Sequence, residues 1–111
     1  MTSRVYIVNR GAHDYTDAER FGDLVFCTEG SLNKQDISQM YRELLAALED
    51  SVPEDFLVLT SLNSLCSIAC AMFAARHHRL NLLIYSNGRY VPTTLDLHNW
   101  IEGYNSANSA A

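Results

Sequence analysis

Two short polar segments of this 111-residue chain hold the side chains best suited to chemistry, and each follows an apolar run. Residues 9–14 contain an amide, a guanidinium, an imidazole and a carboxylate. Residues 60–64 contain three hydroxyls and an amide, and they precede a long apolar segment. In an open parallel sheet, ligands bind beyond the carboxyl ends of the strands, where helix N-termini present free N–H groups. The pattern therefore predicts a polar crevice for a small anionic or nucleotide-like ligand.

Eight residues near the predicted strand ends are the expected ligand contacts: Asn9, Arg10, His13, Glu29, Thr60, Ser61, Asn63 and Ser64. Arg10 could hold an anionic group in a bidentate manner, and Glu29 could accept from a ribose hydroxyl. Residues 60–64 have an alternative interpretation, because Ser and Asn are also preferred helix caps. The sequence contains no glycine-rich phosphate loop and no dinucleotide fingerprint, so it does not predict an ordinary ATPase or a dinucleotide enzyme.

An acid–base pair is another possible use of the first polar segment. Histidine titrates near neutral pH and a nearby carboxylate can orient it, so His13 and Asp14 form a candidate base and orienting group. Arg10 would then act as an electrophilic clamp. Side chains of adjacent residues seldom point at each other, and an exposed loop pair is the interpretation that we favour. A small hydrolase therefore ranks behind ligand binding and protein interaction as a functional hypothesis.

The three cysteines, Cys27, Cys66 and Cys70, fit neither a disulfide framework nor a zinc site. Their number is odd, and Cys66 and Cys70 lie one helical turn apart, unlike the closely spaced loop pairs of zinc sites. Free thiols buried in a core, in a reducing cytoplasm, account for them more simply. We therefore expect no metal and no cofactor, and a nucleophilic Cys27 near a strand end is the alternative that stays open.

The hydrophobic pattern predicts the elements that must position these residues. Four apolar runs predict buried strands, at residues 4–8, 24–28, 56–60 and 80–85. Three segments predict helices, namely a short one at 17–21, an amphipathic one at 34–49, and one at 63–78 that is apolar on nearly every side. Asn87-Gly88 predicts a tight hairpin that pairs residues 89–94 antiparallel with the fourth strand.

The alternation of strands and helices predicts an α/β fold with three layers. We expect a mainly parallel sheet of about five strands in a flavodoxin/Rossmann-like order, 2-1-3-4-5, with a C-terminal antiparallel hairpin. The topological switch of such a sheet lies between strands one and three, whose ends are the two polar segments. Residues 1–104 should form a single domain, with a last short helix at 96–104 and a frayed tail at 105–111.

Charge and hydropathy narrow the range of partners. The net charge of −5 and the scatter of the basic residues argue against a nucleic-acid binder. Basic residues are concentrated only at residues 76–79, the C-terminal end of a predicted helix. Cations there stabilise the negative end of the helix dipole, and we favour this explanation over a basic binding patch. No apolar run is long enough for a signal peptide or a membrane span, so we expect a cytoplasmic protein.

The helix predicted at residues 63–78 has almost no polar face. Such a helix is buried on several sides, either within its own fold or against another subunit. The sequence therefore predicts a homo-oligomer, with a dimer as the first guess. A protein-interaction module with no ligand is accordingly the second functional hypothesis.

Several segments also resemble a group of small uncharacterised phage and prophage proteins. The similar residues are 4–9 with Gly11 and His13-Asp14, 18–22, 54–62, Ala74, Arg76-His77 and 80–83. This resemblance covers most of the first 95 residues. It implies a viral accessory role inside a bacterial cell, such as host takeover or the sequestering or sensing of a host signalling nucleotide. It implies no particular activity and no catalytic residues.

Overall fold

The computed structural model describes residues 3–33 and 35–98. Its five strands are β1 (Arg4–Ile7), β2 (Asp23–Phe26), β3 (Phe56–Val58), β4 (Arg79–Ser86) and β5 (Arg89–Asp96). They form one sheet in the order β2-β1-β3-β4-β5. Neighbouring strands are parallel except for β4 and β5, which pair antiparallel. The predicted α/β fold, strand order and C-terminal hairpin are confirmed.

Three helical segments connect the strands: a 3₁₀ helix (Thr16–Phe21), α1 (Ile37–Ala47) and α2 (Asn63–His77). The first is the short helix predicted at 17–21, and it adopts the tighter 3₁₀ geometry over six residues. α1 begins three residues later than predicted, because the carboxylate of Asp36 caps it by accepting from the N–H of Gln39. Helical periodicity in the sequence does not show where such a cap stands.

The sheet has an apolar cluster on each face, because neighbouring residues of a strand point to opposite sides. α1 and α2 cover one face, where Tyr6 and Leu57 are fully buried. The 3₁₀ helix covers the other face, where Val5, Ile7 and Val58 are buried. The burial of β1 on both faces explains its continuous apolar sequence. The three predicted layers are therefore present.

The ends of α2 and of the hairpin follow local rules. His78 stops α2 by adopting a left-handed conformation with φ 55°. The basic residues near it lie in the last turn, as predicted, and Arg76 also donates from Nη1 to the Leu48 carbonyl at the end of α1, at 3.0 Å. Asn87 and Gly88 have φ 52° and 81°, which gives the predicted tight turn between β4 and β5.

The prediction of a last helix at 96–104 is wrong at its first residue, because Asp96 is the last residue of β5 and pairs with Arg79 of β4. The rest of that helix beyond residue 98 lies outside the described residues. The same holds for the domain boundary predicted at residue 104 and for the frayed tail predicted at 105–111.

Candidate functional site

A polar cavity of about 570 Å³ opens beyond the carboxyl ends of β1, β2 and β3. We call it the edge cavity. It is lined by Asn9, Gly30, Ser31, Leu32, Ser61, Leu62, Asn63 and Ser64. Its volume lies within the range of about 300–1,000 Å³ that is typical of small-molecule pockets. The parallel strands thus place the end of the first polar segment beside the second, as the predicted strand order requires.

The N-terminus of α2 forms one wall of the edge cavity, and no side chain caps it. The N-cap residue is Leu62, whose side chain has no oxygen to accept a hydrogen bond. The helical ladder begins with the N–H of Cys66, which donates to the Leu62 carbonyl at 3.0 Å. The N–H groups of residues 63–65 therefore precede the ladder. The alternative that residues 60–64 serve only as a helix cap is not what the geometry shows.

Asn9 uses its side chain to hold two of the loops that form the cavity. Its Nδ2 donates to the Gly30 carbonyl at 3.3 Å, and its Oδ1 accepts from Thr28 Oγ1 at 3.0 Å. The same hydroxyl, which is buried, also lies 2.8 Å from the Val8 carbonyl. Asn9 therefore contributes mainly to the shape of the cavity wall.

Thr60 and Cys66 join the end of β3 to the first turn of α2. The Thr60 N–H donates to Cys66 Sγ at 3.3 Å, and the thiol lies 3.2 Å from the Thr60 carbonyl oxygen, which accepts from it. Thr60 Oγ1 is buried and has no hydrogen-bond partner among the described residues. Thr60 is not among the residues that line the edge cavity.

The other side chains of the first polar segment line a separate hollow on the opposite face of the sheet. This hollow has a volume of about 370 Å³ and lies beside the 3₁₀ helix, where Arg10, His13 and Asp14 meet Tyr15 and Phe26. We call it the outer hollow. The single crevice expected from the sequence is therefore two sites. The edge cavity holds Asn9, Ser61, Asn63 and Ser64, while Arg10 and His13 lie elsewhere.

Arg10 and Glu29 pair with each other at the rim of the sheet. Arg10 Nη1 lies 3.4 Å from Glu29 Oε1, and both side chains are exposed. The guanidinium also stacks 4.4 Å above the centre of the Phe26 ring. Glu29 does not line either site. These contacts explain the two charges without a ligand.

The carboxylate of Asp14 serves the backbone rather than His13. Asp14 Oδ1 accepts from the hydroxyl of Thr16 and from its N–H, and these bonds lower the pKa of Asp14 below its usual value. The His13 ring instead lies near two tyrosines, with centroids 6.1 Å from Tyr15 and 6.3 Å from Tyr85. Among the described residues no hydrogen bond joins His13 to Asp14, so the orienting contact of an acid–base pair is not formed.

The model of one protein family, described as Phage Pam3 gp32-like protein, matches residues 3–97. The chain belongs to this family. The match confirms the resemblance to small phage proteins. No curated protein and no solved structure matches the chain significantly. Within the part of the chain that the structure describes, no helix is both long and apolar enough to cross a lipid bilayer.

All three thiols of the chain are free, and two of them are buried. Cys27 and Cys66 are free and buried, as predicted, and Cys70 is half-buried. Burial raises the pKa of Cys27 to about 12, so its thiol stays protonated and is a poor nucleophile. Over residues 3–33 and 35–98, no cluster of three His, Cys, Asp or Glu side chains could hold a metal ion. The part of Cys66 in shaping the cavity was not predicted, because a cysteine in an apolar helix gives no signal of its backbone contacts.

Proposed function

We propose that this phage-family protein binds a small anionic or nucleotide-like ligand in the edge cavity. The observation that carries the proposal is the uncapped N-terminus of α2 in the wall of a polar cavity of about 570 Å³. Free N–H groups and the positive end of the helix dipole both favour an anion at this position. The hydroxyl of Ser61 and the amide of Asn63 add further hydrogen-bonding groups.

The lining of the edge cavity limits the charge that its ligand can carry. None of the described residues that line it is charged, and the chain as a whole has a net charge of −5. The helix end supplies only about half of a positive charge. A monophosphate or a carboxylate therefore suits the site better than a triphosphate, whose charge would need a cation or basic side chains. Leu32 and Leu62 offer apolar contact to an uncharged ring.

The family match supports a cellular location for the proposed ligand binding. A phage accessory protein acts inside the bacterial host, and we place this one in the host cytoplasm, where free thiols such as those of Cys27 and Cys66 persist. The ligand would then be a host metabolite or signalling nucleotide that the phage protein sequesters or senses.

Native mass spectrometry of the protein purified from its host tests the proposal directly. A co-purifying small anion that is released on denaturation gives the mass of the ligand. If the protein is empty, calorimetric titration with nucleoside monophosphates follows. A protein that is empty and also binds no monophosphate at millimolar concentration would contradict the proposal.

A pair of variants at Asn63 separates the backbone from the side chain. Asn63→Ala removes the amide, whereas Asn63→Pro also removes an N–H group. Proline is tolerated at the first helical position, and Leu62 already has the extended backbone, φ −84° and ψ 98°, that proline requires before it. We expect Asn63→Pro to weaken binding more than Asn63→Ala, with Ser38→Ala in α1 as the control that changes nothing. Equal affinity for Asn63→Pro and the unaltered protein would exclude the helix N-terminus as the anion site.

A further inference from the structure

A row of large apolar side chains on α1 faces away from the core. The residues of α1 and its C-cap that are buried against the sheet are Met40, Leu44 and Leu48. A second row consists of Ile37, Tyr41 and Leu45, which are 48%, 48% and 51% exposed. Their spacing of four residues puts them along one side of the helix. α1 thus has more apolar surface than the sheet and α2 cover.

α2 extends this row into a wider surface. One hollow of about 320 Å³ lies between Tyr41 and Leu45 on α1 and Met72 on α2. A second, of about 490 Å³, lies between Ile37 and Tyr41 on α1 and Ile68 on α2. We call these five residues the helical face. Their contiguity distinguishes them from single exposed apolar side chains, which are common on any protein.

Two opposite charges flank the centre of the helical face. Arg42 and Glu49 line one hollow together with Leu45, Ala46 and Arg76. Both are exposed, and within residues 3–33 and 35–98 neither forms an ion pair. Glu49 lies just beyond the C-cap of α1, and the hollow that both residues line places them on the same side of the molecule.

We propose that the helical face is covered by a second copy of this chain in a two-fold symmetric dimer. A two-fold axis near Leu45 and Ala46 sets α1 antiparallel to the same helix of the other copy. Arg42 of each copy then lies opposite Glu49 of the other, which forms two reciprocal ion pairs around an apolar centre. Ala46 is small enough for the helices to approach to about 8–10 Å. This self-complementarity is what a symmetric interface requires of a single surface, and a host partner would not require it.

The size of the helical face sets the strength of the dimer. α1 has 11 residues, so it is about 16 Å long, and two helices about 10 Å apart give a face of roughly 300–400 Å² on each copy. Stable dimers bury about 800 Å² on each partner. The association should therefore be weak, with dissociation at micromolar concentrations.

Sedimentation velocity over roughly 1–500 µM protein tests the dimer, with circular dichroism to confirm that each variant folds. We expect Leu45→Glu to weaken self-association by about a hundredfold, because it puts two carboxylates at the centre of the interface. The matched control is Leu95→Glu on β5, where the leucine is 47% exposed but lies outside the helical face. It should leave the association unchanged.

A charge swap tests the antiparallel arrangement itself. Arg42→Glu and Glu49→Arg should each weaken the dimer by about tenfold, because each puts like charges opposite one another. The double variant reverses both charges, so the ion pairs form again and the affinity should return. A chain that is monomeric at every concentration would overturn the proposal, as would dissociation by Leu95→Glu and not by Leu45→Glu. A double variant as weak as the single ones would overturn the antiparallel geometry.

Discussion

Replacing Asp55 with alanine should destabilise the protein more than any other single loss of a carboxylate among the described residues. Asp55 is 2% exposed at the amino edge of the sheet. Its Oδ1 accepts from the Arg4 N–H at 2.8 Å and its Oδ2 from the Val52 N–H at 2.9 Å. It thereby joins the start of β1 to the loop before β3. Asn81 of β4 donates to the Asp55 carbonyl at 2.8 Å, so a third strand depends on the same residue.

The magnitude follows from these contacts. A hydrogen bond to a charged group contributes about 1.5–3 kcal/mol, and the two lost bonds leave two backbone N–H groups without partners. Removing a buried carboxylate also removes its desolvation cost, which offsets part of the loss. We expect Asp55→Ala to lower the free energy of unfolding by about 2–4 kcal/mol, a large part of the roughly 5–15 kcal/mol that holds a typical domain together.

Urea unfolding followed by circular dichroism measures this loss. Asp50→Ala is the matched control, since Asp50 is exposed nearby and its replacement should change the free energy of unfolding by less than about 0.5 kcal/mol. Asp55→Asn should fall between the two, because an amide oxygen can still accept one of the two N–H groups. A loss below about 1 kcal/mol for Asp55→Ala would refute the view that this carboxylate joins the strands.

Two further predictions concern stability. Gly22→Ala should lower the free energy of unfolding by about 3 kcal/mol in the same assay. The reason is that Gly22 has φ +154° and an added Cβ would lie 2.0 Å from the Ser3 carbonyl oxygen. An unchanged urea midpoint would contradict this geometry. His77 should make stability fall in mild acid. Burial, and then the nearby Arg76, lower the pKa of His77, so the folded state prefers neutral imidazole. The contribution of neutral His77 to the free energy of unfolding is complete above about pH 6.5, the pKa of histidine in the unfolded chain. It is lost as the pH falls through that value toward the lower pKa of His77 in the folded state. The urea midpoint should drop less between pH 7.5 and 5.5 in His77→Gln than in the unaltered protein, and equal drops would refute this.

The fold was predictable because few topologies satisfy its constraints. Three parallel crossovers of fixed hand, with short buried strands, leave little choice besides the order that the sheet adopts. Asn87-Gly88 permits the positive φ values of a tight hairpin, so the antiparallel edge was equally determined. The start of α1 was not predictable, because its cap at Asp36 depends on a single side-chain contact that hydrophobic periodicity does not reveal.

The residues predicted for the candidate site lie at the edge of the sheet that the sequence indicates, but on two different faces. Side chains along β1 alternate between the faces of the sheet, and Val8, the residue after β1, still packs on the same face as Tyr6 while Ile7 packs on the other. Continued alternation would put Arg10 on the side of α1 and α2, but the chain bends at residues 8 and 9, so Asn9 lines the edge cavity and Arg10 lines the outer hollow and pairs with Glu29 at its rim. Strand alternation alone would therefore have assigned both residues to the wrong faces, because the bend that reverses them has no clear signal in the sequence.

The buried polar residues at the other edge of the sheet were missed. Asn81 is 1% exposed, donates to the Asp55 carbonyl, and accepts from Thr94 Oγ1 at 3.0 Å, so it joins β4 to both of its neighbours. The signal was present, since Asn81 is the one polar residue inside an apolar run and Asp55 directly precedes another. A polar side chain in a strand that is buried on both faces must find hydrogen-bond partners, and here the partners are the neighbouring strands.

The structure also changes which helix should lead self-association. α2 was expected to do so because its sequence is apolar on nearly every side. Leu65 and Phe73 are instead buried in its own fold, Ile68 and Met72 are half-buried, and small residues such as Ala71 and Ala75 face solvent. α1 has the clearer amphipathic pattern, but its apolar stripe is wider than the surface available to bury it. Sequence periodicity gives the width of such a stripe, whereas only the neighbouring elements determine how much of it is covered. The uncovered half, and not the overall hydrophobicity of a helix, is therefore the better guide to where a second copy binds.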